Sequence, residues 1–259
     1  MDLGIAGCRA IVCASSRGLG FACADALAGE GVHTVINGRD DKALIGAAED
    51  LRARHATEVI AVRGDIGLEE TRRSLLEACP EPDILINNNG GPSPGRFGEW
   101  DRDEWVAALD ANMITPVLMI RMVIDGMVER QFGRIVNITS AMVKTPLSAM
   151  GLSTGARTGL TSMSKALSRD VAAGNVTINN LLPERFDTAR QRQMADLHAS
   201  LAGITTEEAY NAMRQSIPAK RLGRPGEFGA LCAFLCGAHA GYVTGQSIGL
   251  DGGSYAGLL

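Results

Sequence analysis

The chain has 259 residues, 46% hydrophobic and 21% charged, the balance of an ordinary globular protein. Its net charge of −4, with no long basic run, argues against a nucleic-acid binder, and no uninterrupted run of 18 apolar residues predicts a membrane span. The length could suggest two domains, but α/β folds of this size are often one, and a single domain covering 1–259 is expected.

The start of the chain carries Asp2 and no basic region followed by an apolar core, so a cytoplasmic location is expected. Cys8, Cys13, Cys23, Cys79, Cys232 and Cys236 are scattered among apolar residues and read as reduced, buried side chains. Their spacing completes no zinc site, and no metal is expected.

A first strand is predicted over 9–14, running into Ala14-Ser15-Ser16-Arg17-Gly18-Leu19-Gly20 and a helix over 18–30. Glycines at 18 and 20 let the backbone approach a pyrophosphate at a helix N-terminus, where free N–H groups favour an anion. The second strand, 33–37, ends at Asn37-Gly38-Arg39 without an acidic residue to grip a ribose 2′-hydroxyl. Arg39 offers instead a fork of donors suited to a phosphate, and Arg17 is placed to clamp the same group. The two arginines point to NADP(H) over NAD(H). Helix 41–54 and strand 58–62 follow, and Asp65 just beyond is placed to accept from an adenine amino group.

Helix 68–78 leads to strand 83–87, closed by Asn87-Asn88-Asn89-Gly90. The stiff loop Gly90-Gly91-Pro92-Ser93-Pro94-Gly95 reads either as a wall of a substrate pocket or as a plain turn. Trp100 and Trp105 straddle the start of the next helix, 102–130, and read as packing or subunit contacts. Strand 133–139, helix 152–173 and strand 175–181 continue the alternation. Between Pro183 and Pro218 there is no strand pattern, only short helical patterns at 189–201 and 205–214. An insertion at a strand's C-terminal end lies above the ligand crevice of an open α/β sheet, so 184–217 is expected to form a substrate lid. His198 and Tyr210 within it read as an exposed helix face or as substrate contacts. Helix 225–236 and strand 246–250 complete the chain. Regular β-α alternation, with strands apolar on both faces, predicts a Rossmann-type doubly wound parallel sheet of about seven strands, helices on both faces.

The ordered set Arg17-Gly18-Leu19-Gly20, Gly64-Asp65-Ile66, Asn87-Asn88-Asn89-Gly90, Asn112, Ile135-Val136-Asn137-Ile138-Thr139-Ser140, Asn179-Asn180-Leu181-Leu182-Pro183 and Thr244-Gly245-Gln246 with Asp251-Gly252-Gly253 resembles the short-chain dehydrogenase/reductase family over nearly the whole chain. The resemblance implies NAD(P)(H), hydride transfer and a tetramer with two-fold axes, with the apolar segments 230–238 and 245–259 in subunit contacts. It implies cofactor contacts from Ser15, Ser16, Arg17, Gly18, Leu19, Gly20, Asn37, Arg39, Asp65, Ile66, Asn88, Asn89, Gly90, Arg157, Pro183 and Thr188. The chain departs from the pattern at Ala14, where the first glycine is usual, at Asn89, where alanine is usual, and at Glu184, where glycine is usual. The methyl group of Ala14 is expected to be tolerated.

The family's catalytic set is Asn, Ser, Tyr and Lys. Asn112 and Ser140 fall where the first two are expected. The Tyr and Lys positions, thirteen and seventeen residues after Ser140, hold Ser153 and Arg157. The only tyrosines are Tyr210, Tyr242 and Tyr255, none on the helix after strand five. Arg157 can bind ribose hydroxyls but does not readily release a proton, and a serine hydroxyl is a far weaker acid than a phenol. Lys144, in the loop over the cleft, is a substitute proton donor or electrophile, since a lysine desolvated beside a cation titrates near neutrality; the alternative is a solvated loop lysine.

The function expected is an NADP(H)-dependent reductase acting on a small-molecule carbonyl or conjugated enone. The alternative is an NADP(H)-binding sensor or partner protein without turnover. Dehydratase or epimerase chemistry on the same fold is a third reading.

Overall fold

The computed structural model describes residues 2–258. Its seven strands are β1 (Arg9–Val12), β2 (His33–Gly38), β3 (Val59–Arg63), β4 (Ile84–Asn87), β5 (Gly133–Ile138), β6 (Val176–Pro183) and β7 (Ser247–Leu250), all parallel, in the order β3-β2-β1-β4-β5-β6-β7. The chain winds outward from β1 to β3 and then crosses back to β4, so a topological switch lies between β1 and β4. The loops leaving those two strands part there and open a crevice at their C-terminal ends.

Alternation along the strands builds two cores. Ala10, Val12, Ile84 and Ile86 face one side, with Leu27 of α1 (Gly18–Gly29), Leu44 and Leu51 of α2 (Asp41–Arg54), and Phe228 and Leu235 further along the chain. Ile11, Cys13 and Leu85 face the other, with Leu75 of α3 (Glu69–Ala78) and Met119, Ile120 and Val123 of the fourth crossover. That crossover is α4 (Arg102–Leu109), a wide π turn (Asp110–Ile114) and α5 (Thr115–Glu129). Taken whole, Arg102–Glu129 is long and apolar enough by composition to cross a membrane. Arg121 and Asp125 interrupt it, so it holds no uninterrupted run of 18 apolar residues. In the fold its Met119, Ile120, Val123, Ile124 and Met127 are buried in the core under the sheet.

Helix α6 (Gly151–Val171) packs beside this crossover, and α9 (Pro225–Cys236) lies on α1 across the sheet. A Cβ at Gly229 would come 2.2 Å from the Ala22 carbonyl oxygen, so only glycine permits this helix approach. The apolarity of 230–236 therefore has a use within the chain: Cys232, Ala233, Leu235 and Cys236 are buried, and Phe234 is left on the surface. The lid carries α7 (Ala189–Ala202) and α8 (Thr206–Ser216), which close on a small cluster of Ala195, Ala199, Ala209, Tyr210, Ile217 and Leu222. Tyr210 is thus buried rather than on an exposed face.

Polar side chains lock the strand ends under the crevice. Asn87 Nδ2 donates to Asn137 Oδ1 at 2.9 Å, and Asn137 Nδ2 donates to Asn180 Oδ1 at 3.0 Å and Ser164 Oγ at 2.9 Å. This ladder ties β4, β5, β6 and α6 in a buried region where an unpaired amide would cost about 1–3 kcal/mol. Further out, the buried Arg134 donates to the carbonyls of Gly133 and Asn175, both at 2.8 Å, and of Gly237 at 3.2 Å. Its guanidinium lies 4.3 Å from the centroid of the Phe132 ring.

Candidate active site

At the β1–α1 turn Gly18 and Gly20 stand at the start of α1, just after the first strand. Arg17 caps α1 with backbone only, leaving the first N–H groups of a twelve-residue helix without a side-chain partner. A Cβ at Gly20 would lie 2.7 Å from both the Ala14 carbonyl oxygen and Asn88 Nδ2, while the space above Gly18 and Gly90 is open. These features fit a pyrophosphate lying against the turn. Ala14 holds φ at +45°, the left-handed region that favours glycine. Its methyl fits, and its carbonyl accepts from Asn88 Nδ2 at 2.9 Å.

Several residues expected at the cofactor are committed to the protein itself. Ser15 is fully buried; its Oγ donates to the Val12 carbonyl at 2.6 Å and accepts from the Asn37 N–H at 3.1 Å. Asn37 Nδ2 donates to the carbonyls of Val62 and Gly64 at 3.0 and 3.1 Å. Both shape the turn from below. Ile66 is buried in the core. Asp65 Oδ1 accepts from the Gly67 N–H at 2.9 Å, and its other oxygen lies 3.5 Å from Arg39 Nη1. Arg39 and Arg17 are exposed beside the turn. An exposed pair such as Arg39–Asp65 contributes little and yields readily to a better anion.

At the other end of the crevice Arg157 is the hub. Its Nη1 donates to the Thr139 carbonyl at 2.7 Å, its Nη2 to Asn112 Oδ1 at 3.0 Å and to the Asn89 carbonyl at 3.5 Å, and its Nε to Asn112 Oδ1 at 3.3 Å. Asn112 is presented by the π turn, and Asn89 Nδ2 donates to the Ala111 carbonyl at 3.1 Å. One guanidinium thus joins the ends of β4 and β5 to the fourth crossover. Burial, and then the nearby Arg190 charge, lower its pKa to about 10, so it remains charged at neutral pH.

Ser140 caps a short turn over Ala141–Val143, its Oγ accepting from the Met142 N–H at 3.2 Å. Ser153 is buried in α6. Lys144 is exposed, so the desolvation that the sequence suggested for it is absent. Its ammonium lies over the ring of Tyr255. Pro183 ends β6, and Thr188 Oγ1 caps α7, accepting from the Gln191 N–H at 3.3 Å.

The Gly90–Gly95 loop walls this end. A Cβ at Gly91 would meet Arg157 Nη2 at 3.3 Å, and Trp100 lies against Gly95 and Gly151. Trp100 and Trp105 meet edge to face at 6.0 Å, a packing role as the sequence suggested. Arg190 of the lid donates to the Pro92 carbonyl at 3.1 Å. Sequence reasoning missed Arg190 because nothing local distinguishes it from a solvated helix arginine. His198 is exposed. The Tyr210 hydroxyl donates to Asp187. Burial, then Asp187, push its pKa up to about 12, which removes it as an acid.

Residues 13–255 match the family described as enoyl-(acyl carrier protein) reductase. The chain is 30% identical to dehydrogenase/reductase SDR family member 4 of Oryctolagus cuniculus over 253 residues, 95% of this chain and 92% of that one. The chain belongs to the short-chain dehydrogenase/reductase family. Among its members it is similar to the NADPH-dependent reductase BacG of Bacillus subtilis (strain 168), 32% identical over 250 residues, 95% of this chain and 96% of that one. It is also similar to the structure of L-sorbose reductase from Gluconobacter frateurii complexed with NADPH and L-sorbose, with a TM-score of 0.94, 27% identity and full coverage of both chains. In an open α/β sheet the ligand crevice lies outside the C-terminal ends of the strands, the end at which the β1–α1 turn and the Arg157 hub lie.

Proposed function

We propose that this protein is an NADP(H)-dependent reductase whose active site holds Ser153 and Arg157 where the family places its tyrosine and lysine. The observation that carries the reading is the Arg157 hub. A guanidinium pinned to the Thr139 carbonyl, Asn112 and Asn89 orients a ligand and supplies positive charge, but it relays no proton near neutrality. When bound, NADPH supplies the hydride. The acceptor must then be one that does not need a tyrosine to protonate it.

A conjugated carbon–carbon double bond meets that condition. Hydride arrives at the β-carbon, charge develops on the distant carbonyl oxygen, and solvent delivers the proton to the α-carbon. Ser140 and Lys144 stabilise the oxygen as charge grows. The cradle formed by Gly18, Leu19, Gly20, Ser16, Asn88 and Gly90 takes the pyrophosphate, and Arg17 and Arg39 take the 2′-phosphate. Pro183 and Thr188 flank the nicotinamide side, and the lid over 184–217 covers the substrate. Assembly as a tetramer in the cytoplasm belongs to the same reading, with the exposed Phe234 and the segment 245–259 in the contacts.

The test is NADPH oxidation with 2-cyclohexen-1-one, cinnamaldehyde, cyclohexanone and acetophenone as acceptors. Turnover is expected with the first two, saturation of the double bond being read by mass spectrometry. Binding of NADPH with no oxidation by any acceptor would favour the sensor alternative. The double variant Ser153→Tyr with Arg157→Lys is expected to give no gain, since position 153 is buried and a phenol must displace its neighbours. A rise in turnover of a simple ketone by that variant would show instead that proton transfer limits a carbonyl reductase.

Cofactor choice is read separately. Arg39→Ala is expected to weaken NADPH by about tenfold, the upper range for an exposed charged contact, and to leave NADH unchanged. Fluorescence titration decides, and an unchanged preference would remove Arg39 from the phosphate site.

A further inference from the structure

The chain beyond β7 turns on Asp251. Its carboxylate accepts from the Gly253 N–H at 3.0 Å and the Tyr255 N–H at 2.8 Å, and its carbonyl accepts from Ser254 Oγ at 2.9 Å. Gly252 and Gly253 adopt φ values of +62° and +90°, which this turn needs and which side chains rarely take. The turn rests on the end of the lid. The Ala219 N–H donates to the Gly252 carbonyl at 3.1 Å, and a Cβ at Gly252 would meet Ile217 and Ala219 at 2.7 and 3.2 Å.

So anchored, the turn presents Tyr255 to the loop after β5. The Lys144 ammonium lies over its ring, 5.2 Å from the centroid. Lys144 is itself rooted in the turn that Ser140 caps, its N–H donating to the Ala141 carbonyl at 3.0 Å. A cation over an aromatic face is attracted by the ring quadrupole, which biases a flexible four-carbon side chain toward that placement. The lysine's base lies at the active site while its head lies on the C-terminal tail.

We infer that Tyr255 is a positioning residue for Lys144, and that the C-terminal tail completes one wall of the substrate crevice through it. The inference rests on the reading of Lys144 as the electrophile that meets the substrate oxygen. The ring is the part of Tyr255 that the Lys144 ammonium faces. The tail touches both the lid and the lysine, so closing the one over a substrate bears on the placement of the other.

The test compares the parent with Tyr255→Ala, Tyr255→Phe, Lys144→Met and the double variant Tyr255→Ala/Lys144→Met, using 2-cyclohexen-1-one with NADPH. Tyr255→Ala is expected to lower kcat by about fivefold while the NADPH Kd and the melting temperature hold. Tyr255→Phe retains the ring and restores kcat to within about twofold. In the double variant, Tyr255→Ala adds no loss to that of Lys144→Met, because both act through one cation. A second measurement reads the contact without turnover. Competitive acetylation, followed by peptide mapping, is expected to label Lys144 faster, relative to the exposed Lys42, in Tyr255→Ala than in the parent or Tyr255→Phe. Equal labelling in all three proteins overturns the inference. So does a loss in Tyr255→Phe as deep as in Tyr255→Ala, which would assign the role to the hydroxyl. Parent-like turnover in Lys144→Met with a normal labelling response removes the reading of Lys144, and this inference with it, whereas loss in Lys144→Met alongside parent-like Tyr255→Ala overturns the inference alone.

Discussion

Lys144→Met is expected to lower turnover of a conjugated enone by about a hundredfold while NADPH binding stays intact, the usual loss when one stabilising group of a developing oxyanion is removed. The substitution is chosen for its shape. Methionine keeps the length of the side chain and still packs on the Tyr255 ring, so the wall of the crevice survives and only the charge is lost. Arg157 is pinned to the protein by three separate acceptors and is not free to move into the vacated place. Because Lys144 is exposed, its field is screened. The parent's advantage over the variant should therefore shrink as salt rises from about 0.05 to 1 M, where the screening length drops to about 3 Å. Steady-state kinetics at several salt concentrations measure this. Turnover equal to the parent at low salt would return Lys144 to the status of a loop lysine.

Arg134→Met is expected to destabilise the fold by about 3–4 kcal/mol without touching the crevice, since orphaned buried acceptors cost about 1–3 kcal/mol each. The Arg134 side chain is buried, and it holds the carbonyls of Gly133 at the start of β5, Asn175 just before β6 and Gly237 just after α9. Burial lowers its pKa, and no carboxylate pairs with it among the described residues, so its stability rests on those carbonyls and on the Phe132 ring. Methionine fills the volume but donates nothing. A melting temperature lower by roughly 6–16 °C is expected for a chain of this length. A drop of under about 2 °C would show that water replaces the guanidinium at no cost.

The architecture was legible because each element carries its own periodicity. The strand near Ile84-Leu85-Ile86 is apolar on both faces and bounded by turn residues, and the pattern over 41–54 returns as α2 with the same limits. The glycine turn was legible too, since Gly18 and Gly20 sit where a strand gives way to a helix. What could not be read was the use of each side chain. Ser15 and Asn37 look like ligand contacts in sequence, yet their polar atoms are consumed in holding the turn. Which partner a polar group takes depends on the neighbouring strand, and pairing between β1, β2 and β3 is a tertiary fact. Tyr255 shows the same limit from the other side. A search for a tyrosine on the helix after β5 passes over it, because only the fold brings the tail to Lys144. Arg190 was overlooked for the same reason, as its neighbours Pro92 and Arg157 come from distant segments.

The π turn at Asp110–Ile114 bears on how the length of this chain can vary. A wide turn holds one residue more than the α-helix around it, so α5 is rotated by about 100° from the phase that α4 would have set. That rotation lets α4 lay Trp105 against Gly155 while α5 buries Met119, Val123 and Met127, with Asn112 turned to Arg157 between them. Deleting a single residue from this segment would straighten the helix and leave no phase that serves all three. Insertions and deletions, ordinarily best tolerated in loops and least informative there, should be excluded from this stretch of helix as firmly as charges are from the core.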